Sequence, residues 1–266
     1  MKEFAKKIFI PILTFIENLL FKLCVFVIKQ NAVPKHIALI VDGNRSFSKS
    51  SGVSLDDAYM KGVEAIIRQV SLTQPFGIKG ISLFLFSVFN WDRKKSETEP
   101  ILKAITALMK MSMANTYGCR YKLVGDISKL PPDFLALGKD LENKTKYNTG
   151  AVIQLAVNYG AKLEMVDSAL AIFKHPSYLQ NITEELIEDL MNVHGVEKTD
   201  IMIRTSGHKR YSDYFLWQNA YHPLFFTDEF WPEFSRWGLL RAVFYYQANI
   251  KKCLRAKAIA RRNTFK

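Results

Sequence analysis

The five residues Ile37 to Val41 are apolar at consecutive positions rather than alternate ones, and Ile37, Ile40 and Val41 are β-branched. A strand with one face in water alternates, so an unbroken run predicts an inner strand covered on both faces, the condition of a parallel sheet layered by helices. The run stops at Asp42-Gly43-Asn44, which puts a carboxylate where the strand ends and a glycine turn begins. Open α/β sheets bind their ligands at that end of the strands. Arg45, Ser46, Ser48 and Lys49 follow at once. A carboxylate able to hold Mg²⁺, beside backbone N–H groups and cations, is what a diphosphate requires. Alone, Asp-Gly-Asn reads as an ordinary turn, and the flanking residues carry the functional reading.

The pattern then repeats along the chain. Ile81 to Phe86 is a second apolar run, and Ser87, Asn90, Trp91, Arg93, Lys94 and Lys95 stand at its end. A third expected strand, Asp200 to Ile203, ends at Arg204-Thr205-Ser206-Gly207, with Arg210 and Ser212 close behind. Strands are also expected at Arg120 to Val124 and Val152 to Val157. Helices are expected at about Asp56–Leu72, Glu99–Tyr117, from Pro132 onward, Lys162–Phe173, Thr183–Val193 and Trp237–Arg262, with a polar, serine-rich loop from Asp42 to Ser54. Strands alternating with helices define an α/β single domain with a central, mostly parallel sheet. In such a sheet three polar strand ends, 42–45, 87–93 and 204–212, would form one polyanion pocket. Arg45, Arg93, Arg204 and Arg210 can fork onto phosphate oxygens, with Ser206 and Ser212 as hydroxyl donors. Taken singly, each arginine reads as a solvated surface charge.

A net charge of +12 over 266 residues suits phosphate-bearing ligands or an anionic membrane surface. Nucleic acid has only that charge in its favour, since no binding motif is present and the arginines fall at strand ends. Cys24, Cys119 and Cys253 are too scattered for a disulfide framework, which points to a reducing compartment, and the five histidines form no zinc-protease spacing. Residues 1–30 stand apart from the domain at 31–266 as a hydrophobic helix flanked by Lys2, Lys6, Lys7 and Lys29. No small-x-small cleavage site supports a signal peptide, and Glu17, Asn18 and Lys22 would be costly in mid-membrane. Lys7, Thr14, Asn18, Lys22 and Lys29 recur at helical spacing, which predicts a helix lying in the membrane interface or packed on a partner, with a single-span anchor as the alternative.

The stretches HIALIVDGN, FSVFNWDR, NYGAK, IRTSGHKRYSDYFLWQ and FFTDEFWPEF together resemble the cis-prenyltransferases, the undecaprenyl and dehydrodolichyl diphosphate synthase group. The likeness runs in order from about Pro34 to Gln247, and the RTSG-to-WQ stretch is its most specific part. The resemblance implies a six-stranded parallel sheet, a dimer, a greasy tunnel, and Mg²⁺-dependent condensation of isopentenyl diphosphate onto an allylic diphosphate, usually farnesyl diphosphate, in cis geometry. It implies that Asp42 holds Mg²⁺ and assists the leaving diphosphate, while Gly43, Asn44, Arg45 and Ser46 cradle it. It further implies that Arg204, Arg210 and Ser212 bind isopentenyl diphosphate, that Asn90 with Ser87 removes the proton, that Arg93 serves a diphosphate, and that Phe47 and Trp91 line the pocket. Phe84, Phe86 and Phe89 read as ordinary core.

The departures are as specific as the matches. Ser46 stands where the family commonly has arginine, Leu55 and Tyr59 where it has arginine and histidine, and Phe89 in place of the acid of S-x-E-N-W. Pro223 replaces a glutamate that supplies a second metal contact in homodimeric bacterial members. No Arg-x-Gly arm is recognisable in Lys251 to Ala256. Catalytic subunits of heteromeric eukaryotic members share these last two features and take the arm from a partner. The expectation is therefore a transferase on the cytoplasmic side of a membrane (plasma membrane or endoplasmic reticulum), as a homodimer or with an accessory subunit. The competing reading is a non-catalytic or weakly active paralogue that binds isoprenyl diphosphate or supports a true synthase. The absence of DDxxD argues against a trans-type synthase, since Asp56-Asp57 is followed by Ala58-Tyr59-Met60.

Overall fold

The strand that opens the domain, β1 (His36–Ile40), is buried at all five positions because it lies inside the sheet with a different hydrophobic cluster on each face. Ile37 and Leu39 point into one cluster, Ala38 and Ile40 into the other. In this computed structural model, which describes residues 2–191 and 198–264, the remaining strands are β2 (Gly80–Ser87), β3 (Arg120–Val124), β4 (Val152–Tyr159), β5 (Ile201–Arg204) and β6 (Leu224–Phe226). All pair in parallel, in the order β3-β4-β2-β1-β5-β6. Successive strands are added first on one side of β1 and later on the other, so the strand order reverses at β1 and opens a crevice beyond its carboxyl end.

Eight helices complete the described fold: α1 (Lys2–Ile28), α2 (Asn44–Ser51), α3 (Leu55–Thr73), α4 (Lys95–Ala114), α5 (Pro132–Thr145), α6 (Ala161–Lys174), α7 (Glu184–Met191) and α8 (Arg236–Thr264). The larger cluster buries α3, α4, α5 and α8 against the sheet. The smaller is closed by Tyr214, Phe215 and Ala161, from the chain after β5 and the start of α6. Helix α3 starts where the Ser54 hydroxyl accepts the Asp57 N–H at 3.0 Å, with Asp56 and Asp57 complementing the helix dipole.

Three local expectations are corrected. The serine-rich stretch after Asp42 is helix α2, not a loop: Ser50 and Ser51 donate back to the Phe47 carbonyl at 3.1 and 2.6 Å, and left-handed Gly43 and Gly52 bound it. Helix α4 begins four residues earlier than Glu99 and stops at Ala114, before the left-handed pair Tyr117-Gly118. Phe89 is not core but 56% exposed. The end of the helix expected at 183–193 falls at residues 192 and 193, outside the described residues.

Helix α1 lies on the domain. Phe21, Val25 and Ile28 are buried, and the Phe21 ring meets Trp237 and Phe76 edge-on at 5.8 and 6.2 Å. One member of the polar stripe meets the domain at its rim, where Asn18 accepts from Arg236 at 2.5 Å, and Glu17, outside the stripe, accepts from the Trp237 indole at 3.1 Å. The Lys7 member of that stripe lies outside the described side chains. The window Pro11–Ile28 has a mean hydropathy of 1.9 and is only 11% buried.

At the far side of the sheet, Gly125 has φ +122°, and a Cβ there would sit 2.2 Å from the Val157 carbonyl oxygen. This close approach holds the end of β3 on Asn158, which donates to Asp126 O at 2.7 Å. Gly125→Ala is expected to cost about 2 kcal/mol or more. The measurement is urea unfolding, where the midpoint should fall with the slope unchanged; an unmoved midpoint would mean that the turn relaxes freely.

Candidate active site

Arg204 ends β5 beside the end of β1, where register pairing puts Ile40 opposite it. Its guanidinium is 3% exposed and spends both terminal nitrogens. Nη2 donates to Asp42 Oδ2 at 2.6 Å, and Nη1 donates to the Arg210 carbonyl and to Ser212 Oγ, both at 2.6 Å. One side chain thus ties the carboxylate after β1 to the loop after β5. Burial lowers the pKa of Arg204, and the Asp42 carboxylate opposes that shift. Its Nε is buried with no partner among the described residues, which leaves one N–H donor for an anion.

The backbone of Asp42 is fixed as firmly. Thr205 Oγ1, fully buried, donates to the Asp42 carbonyl at 2.6 Å and accepts the Asp42 N–H at 3.0 Å, and the Trp231 N–H reaches the same carbonyl at 3.1 Å. Gly43 adopts φ +106° and donates to Asp42 Oδ1 at 2.8 Å. A Cβ on Gly43 would meet Phe230 and Ser206 at 3.0 Å. Asn44 packs its carboxamide against α3 at Gly62, where a Cβ would come within 2.6 Å of Asn44 Oδ1. That buried oxygen has no hydrogen-bond donor among the described residues. Ser206, Ser212, Asp213 and Phe215 all have left-handed backbones, so the β5–β6 connection stores strain at the site.

Asp42, Gly43, Asn44, Arg45, Ser46, Ser87, Asn90, Arg93, Arg204, Arg210 and Ser212 all line one cavity of about 530 Å³. Its polar end lies at the carboxyl ends of β1, β2 and β5. Its other end runs between α3 and α4, over Val63, Ile66, Ile101, Ala104, Ile105 and Leu108. Ser87 and Asn90 cap one another: the Ser87 N–H donates to Asn90 Oδ1 at 2.7 Å, and Ser87 Oγ accepts from Phe89 N at 3.1 Å. The register between β2 and β4 slips between Phe84 and Ser87, which bends the end of β2 beside the cavity. Arg45 forms an exposed ion pair with Glu97 at 2.8 Å, a contact weak enough to yield to a phosphate.

Two predicted pocket residues stand outside the cavity wall. The Phe47 ring is buried on the inner side of α2 beneath the Lys61 ammonium. Trp91 packs edge-on against Phe86 and donates its indole N–H to Asn158 Oδ1 at 2.8 Å, so it anchors the turn after β2. Sequence reasoning missed Thr205, Gly62 and Trp231, whose roles are backbone positioning, and the cavity-lining His208 and Asp213. Of the departures, Ser46, Tyr59 and Phe89 line the cavity. Burial raises the Tyr59 phenol's pKa, partly offset by Arg45 and Arg93. Pro223 is instead buried ahead of β6, its carbonyl accepting the Met202 N–H at 3.1 Å, and Lys251 to Ala256 continue helix α8.

The family model for undecaprenyl diphosphate synthase matches residues 40–253, and the chain belongs to that family, the cis-prenyltransferases. It is 33% identical over 223 residues to the ditrans,polycis-undecaprenyl-diphosphate synthase ((2E,6E)-farnesyl-diphosphate specific) of Vibrio parahaemolyticus, covering 82% of this chain and 89% of that one. It is 34% identical to dehydrodolichyl diphosphate synthase 2 of Arabidopsis thaliana, covering 81% and 72%. The crystal structure of lavandulyl diphosphate synthase from Lavandula x intermedia in complex with dimethylallyl diphosphate superposes with TM-score 0.74 at 26% identity, covering 81% of this chain and 95% of that one. The protein is thus a transferase with a six-stranded α/β fold, and the cavity at Asp42 is its active-site candidate.

A divalent cation fits this donor set in one way. No group of three His, Cys, Asp or Glu side chains able to hold a metal occurs among the described residues, so a cation caged by protein alone is not built in. Mg²⁺ commonly binds through one or two carboxylates together with water and substrate phosphates. Asp42, about a third exposed at the cavity wall, suits that mode.

Arg204→Lys keeps the charge but cannot reach Asp42, Ser212 and the Arg210 carbonyl at once. It should lower kcat/KM by about ten- to a hundredfold, the value of one charge-assisted contact of about 1.5–3 kcal/mol. Steady-state kinetics with far-UV circular dichroism checks this. Wild-type kinetics from a folded Arg204→Lys variant would remove the fork from the account.

Proposed function

We propose that this transferase condenses isopentenyl diphosphate with an allylic diphosphate, farnesyl diphosphate, to give a cis-polyprenyl diphosphate. The single observation that carries the reading is the continuity of one cavity, cationic where three strands end and apolar between α3 and α4. An allylic diphosphate has that polarity, with its head at Gly43 to Ser46 and its tail toward Leu108. The specificity named for the Vibrio relative and the allylic diphosphate in the lavender structure support this substrate class.

In the reaction the allylic C–O bond breaks, a C–C bond forms to isopentenyl diphosphate, and the adduct loses a proton. Asp42 would hold Mg²⁺, which when bound supplies charge neutralisation to the departing diphosphate. Arg45 and the backbone N–H groups at the start of α2 face the same developing charge, where fixed dipoles and cations contribute most. Arg204, Arg210 and Ser212 orient isopentenyl diphosphate, and the Ser87–Asn90 pair stands at the cavity wall to take part in the proton's removal. The apolar slot excludes water from the allylic centre.

Two further features belong to the proposal. The enzyme works at the cytoplasmic side of a membrane, with α1 in the interface. It also assembles as a homodimer or with an accessory subunit. Val166, Leu170 and Phe173 form an exposed apolar stripe on α6, 54, 49 and 78% accessible, which a second chain would cover.

Purified protein with farnesyl diphosphate, labelled isopentenyl diphosphate and Mg²⁺ should elongate the chain, read by product-length analysis. Asp42→Ala should abolish turnover in a folded protein; unchanged turnover would remove Asp42 from the mechanism. With Pro223 in place of an acid and no Arg-x-Gly arm, the lone chain should be slow, with a KM raised by orders of magnitude at about 1.5–3 kcal/mol per missing contact. A partner bearing such an arm should restore the rate, and ordinary kinetics from the lone chain would end the idea of dependence. Substrate binding without turnover under every condition would favour the non-catalytic paralogue.

A further inference from the structure

Beyond the active site, helix α1 builds a second amphiphilic cleft. Its docked side is spent on Phe21, Val25, Ile28 and the Glu17–Asn18 contacts to Arg236 and Trp237. The opposite arc is apolar and open to solvent, with Phe15 68%, Leu23 53%, Phe26 67% and Val27 63% accessible. At 100° per residue, Lys22 and Lys29 fall together along one edge of that arc, between the docked side and Phe26. There α1 and the end of α3 enclose a cleft of about 690 Å³ walled by Phe21, Val25, Phe26, Leu72 and Pro75. Lys22, Lys29 and Arg236 also line it. Arg236 is partly neutralised by Glu17 at 3.9 Å. Neither Lys22 nor Lys29 has an ion-pair partner among the described residues.

We propose that this cleft binds the headgroup phosphate of an anionic membrane phospholipid, with the lipid's acyl chains running over Phe26 along the open face of α1. Charge complementarity selects the occupant. A groove with an apolar floor and an excess of cations at its rim matches a molecule with a tail and a phosphate, whereas a neutral lipid leaves the two lysines uncompensated. Placement agrees: the lysines border the apolar arc, so a bilayer meeting that arc brings its headgroups level with them. The proposal rests on α1 lying in a membrane interface and adds a specific headgroup site to it.

Full-length protein is mixed with vesicles of phosphatidylcholine alone and of phosphatidylcholine with phosphatidylglycerol, and the bound fraction is read by flotation. The wild type should bind both and prefer the anionic vesicles. Lys22→Gln/Lys29→Gln should weaken anionic binding by about tenfold or more and leave neutral binding unchanged. Lys251→Gln/Lys252→Gln, the same charge change on an exposed stretch of α8, should have a much smaller effect. In solution, dihexanoyl-phosphatidylglycerol should quench or shift Trp237 fluorescence, while inorganic phosphate and dihexanoyl-phosphatidylcholine should not. Equal losses from the two double variants would reduce the site to general surface charge and overturn the proposal. So would an equal response to inorganic phosphate. Absence of binding to either vesicle would overturn the membrane reading itself, a different result from binding without headgroup preference.

Discussion

The ion pair between Asp42 and Arg204 is the contact on which the active site depends. A guanidinium buried to 3% exposure needs compensation, because an unpaired charge there would cost several kcal/mol. Asp42 and the carbonyl and hydroxyl of Arg210 and Ser212 supply it, and in doing so they draw the ends of β1 and β5 into one constellation. The pairing is poor evidence of net stability, since an apolar replacement could pack as well. Its value is positional. It keeps a carboxylate and a cation within one cavity without mutual neutralisation of every donor, because Arg204 Nε stays undonated and Asp42 stays about a third exposed. The proposed diphosphate and its cation would then be accommodated by exchange of partners at the site, not by opening it.

The surrounding residues keep that exchange small. Thr205 and Trp231 hold the Asp42 backbone from two directions, so the carboxylate can turn only about its own side-chain bonds. Gly43 and Gly62 serve the same purpose by absence: a methyl at either would push against Phe230 and Ser206, or against Asn44. Left-handed backbone at Ser206, Ser212 and Asp213 shapes the facing loop. Such strain persists only where neighbouring contacts over-determine it, and here they do. Preorganised groups of this kind favour a transition state because little of them must move as charge develops.

Much of this was legible in the sequence, and for one physical reason. An inner parallel strand cannot alternate, so β1 announced itself by an unbroken apolar run, and β2 and β4 by runs broken once each, at Ser82 and Gln154, which hydrogen-bond to one another across the buried sheet. The polar residues at the ends of β1, β2 and β5 fell where the cavity lies. The parts that were hidden depend on partners distant in the chain. Helix α2 was obscured because its serines satisfy backbone carbonyls within the same helix, which composition alone reads as loop. Strand β6 is three half-buried residues, too short for periodicity to mark. Trp91 looked like a pocket residue, but its indole found Asn158, sixty-seven positions away. Thr205 carried no signal of its own, since its function is to hold another residue's backbone.

Helix α1 shows the same limit from the other side. Spacing revealed one polar stripe and a broad apolar face, but not which of them the domain would claim. The domain claims the edge that carries Glu17 and Asn18: two of the three residues that weighed against a spanning helix are used on Trp237 and Arg236. Those exposed contacts, beside buried Phe21 and Val25, fix the rotation of the helix, because turning it would break them together with three contacts at the Phe21 ring. The apolar arc is therefore held outward by the polar contacts opposite it. A helix so oriented offers a surface and a cleft whose chemistry is set by the domain beneath, and the same aromatic pair, Phe21 on Trp237, joins it to the helix that follows the Trp231 segment behind Asp42. The open face of α1 and the active site are thus separated by only a few packed side chains.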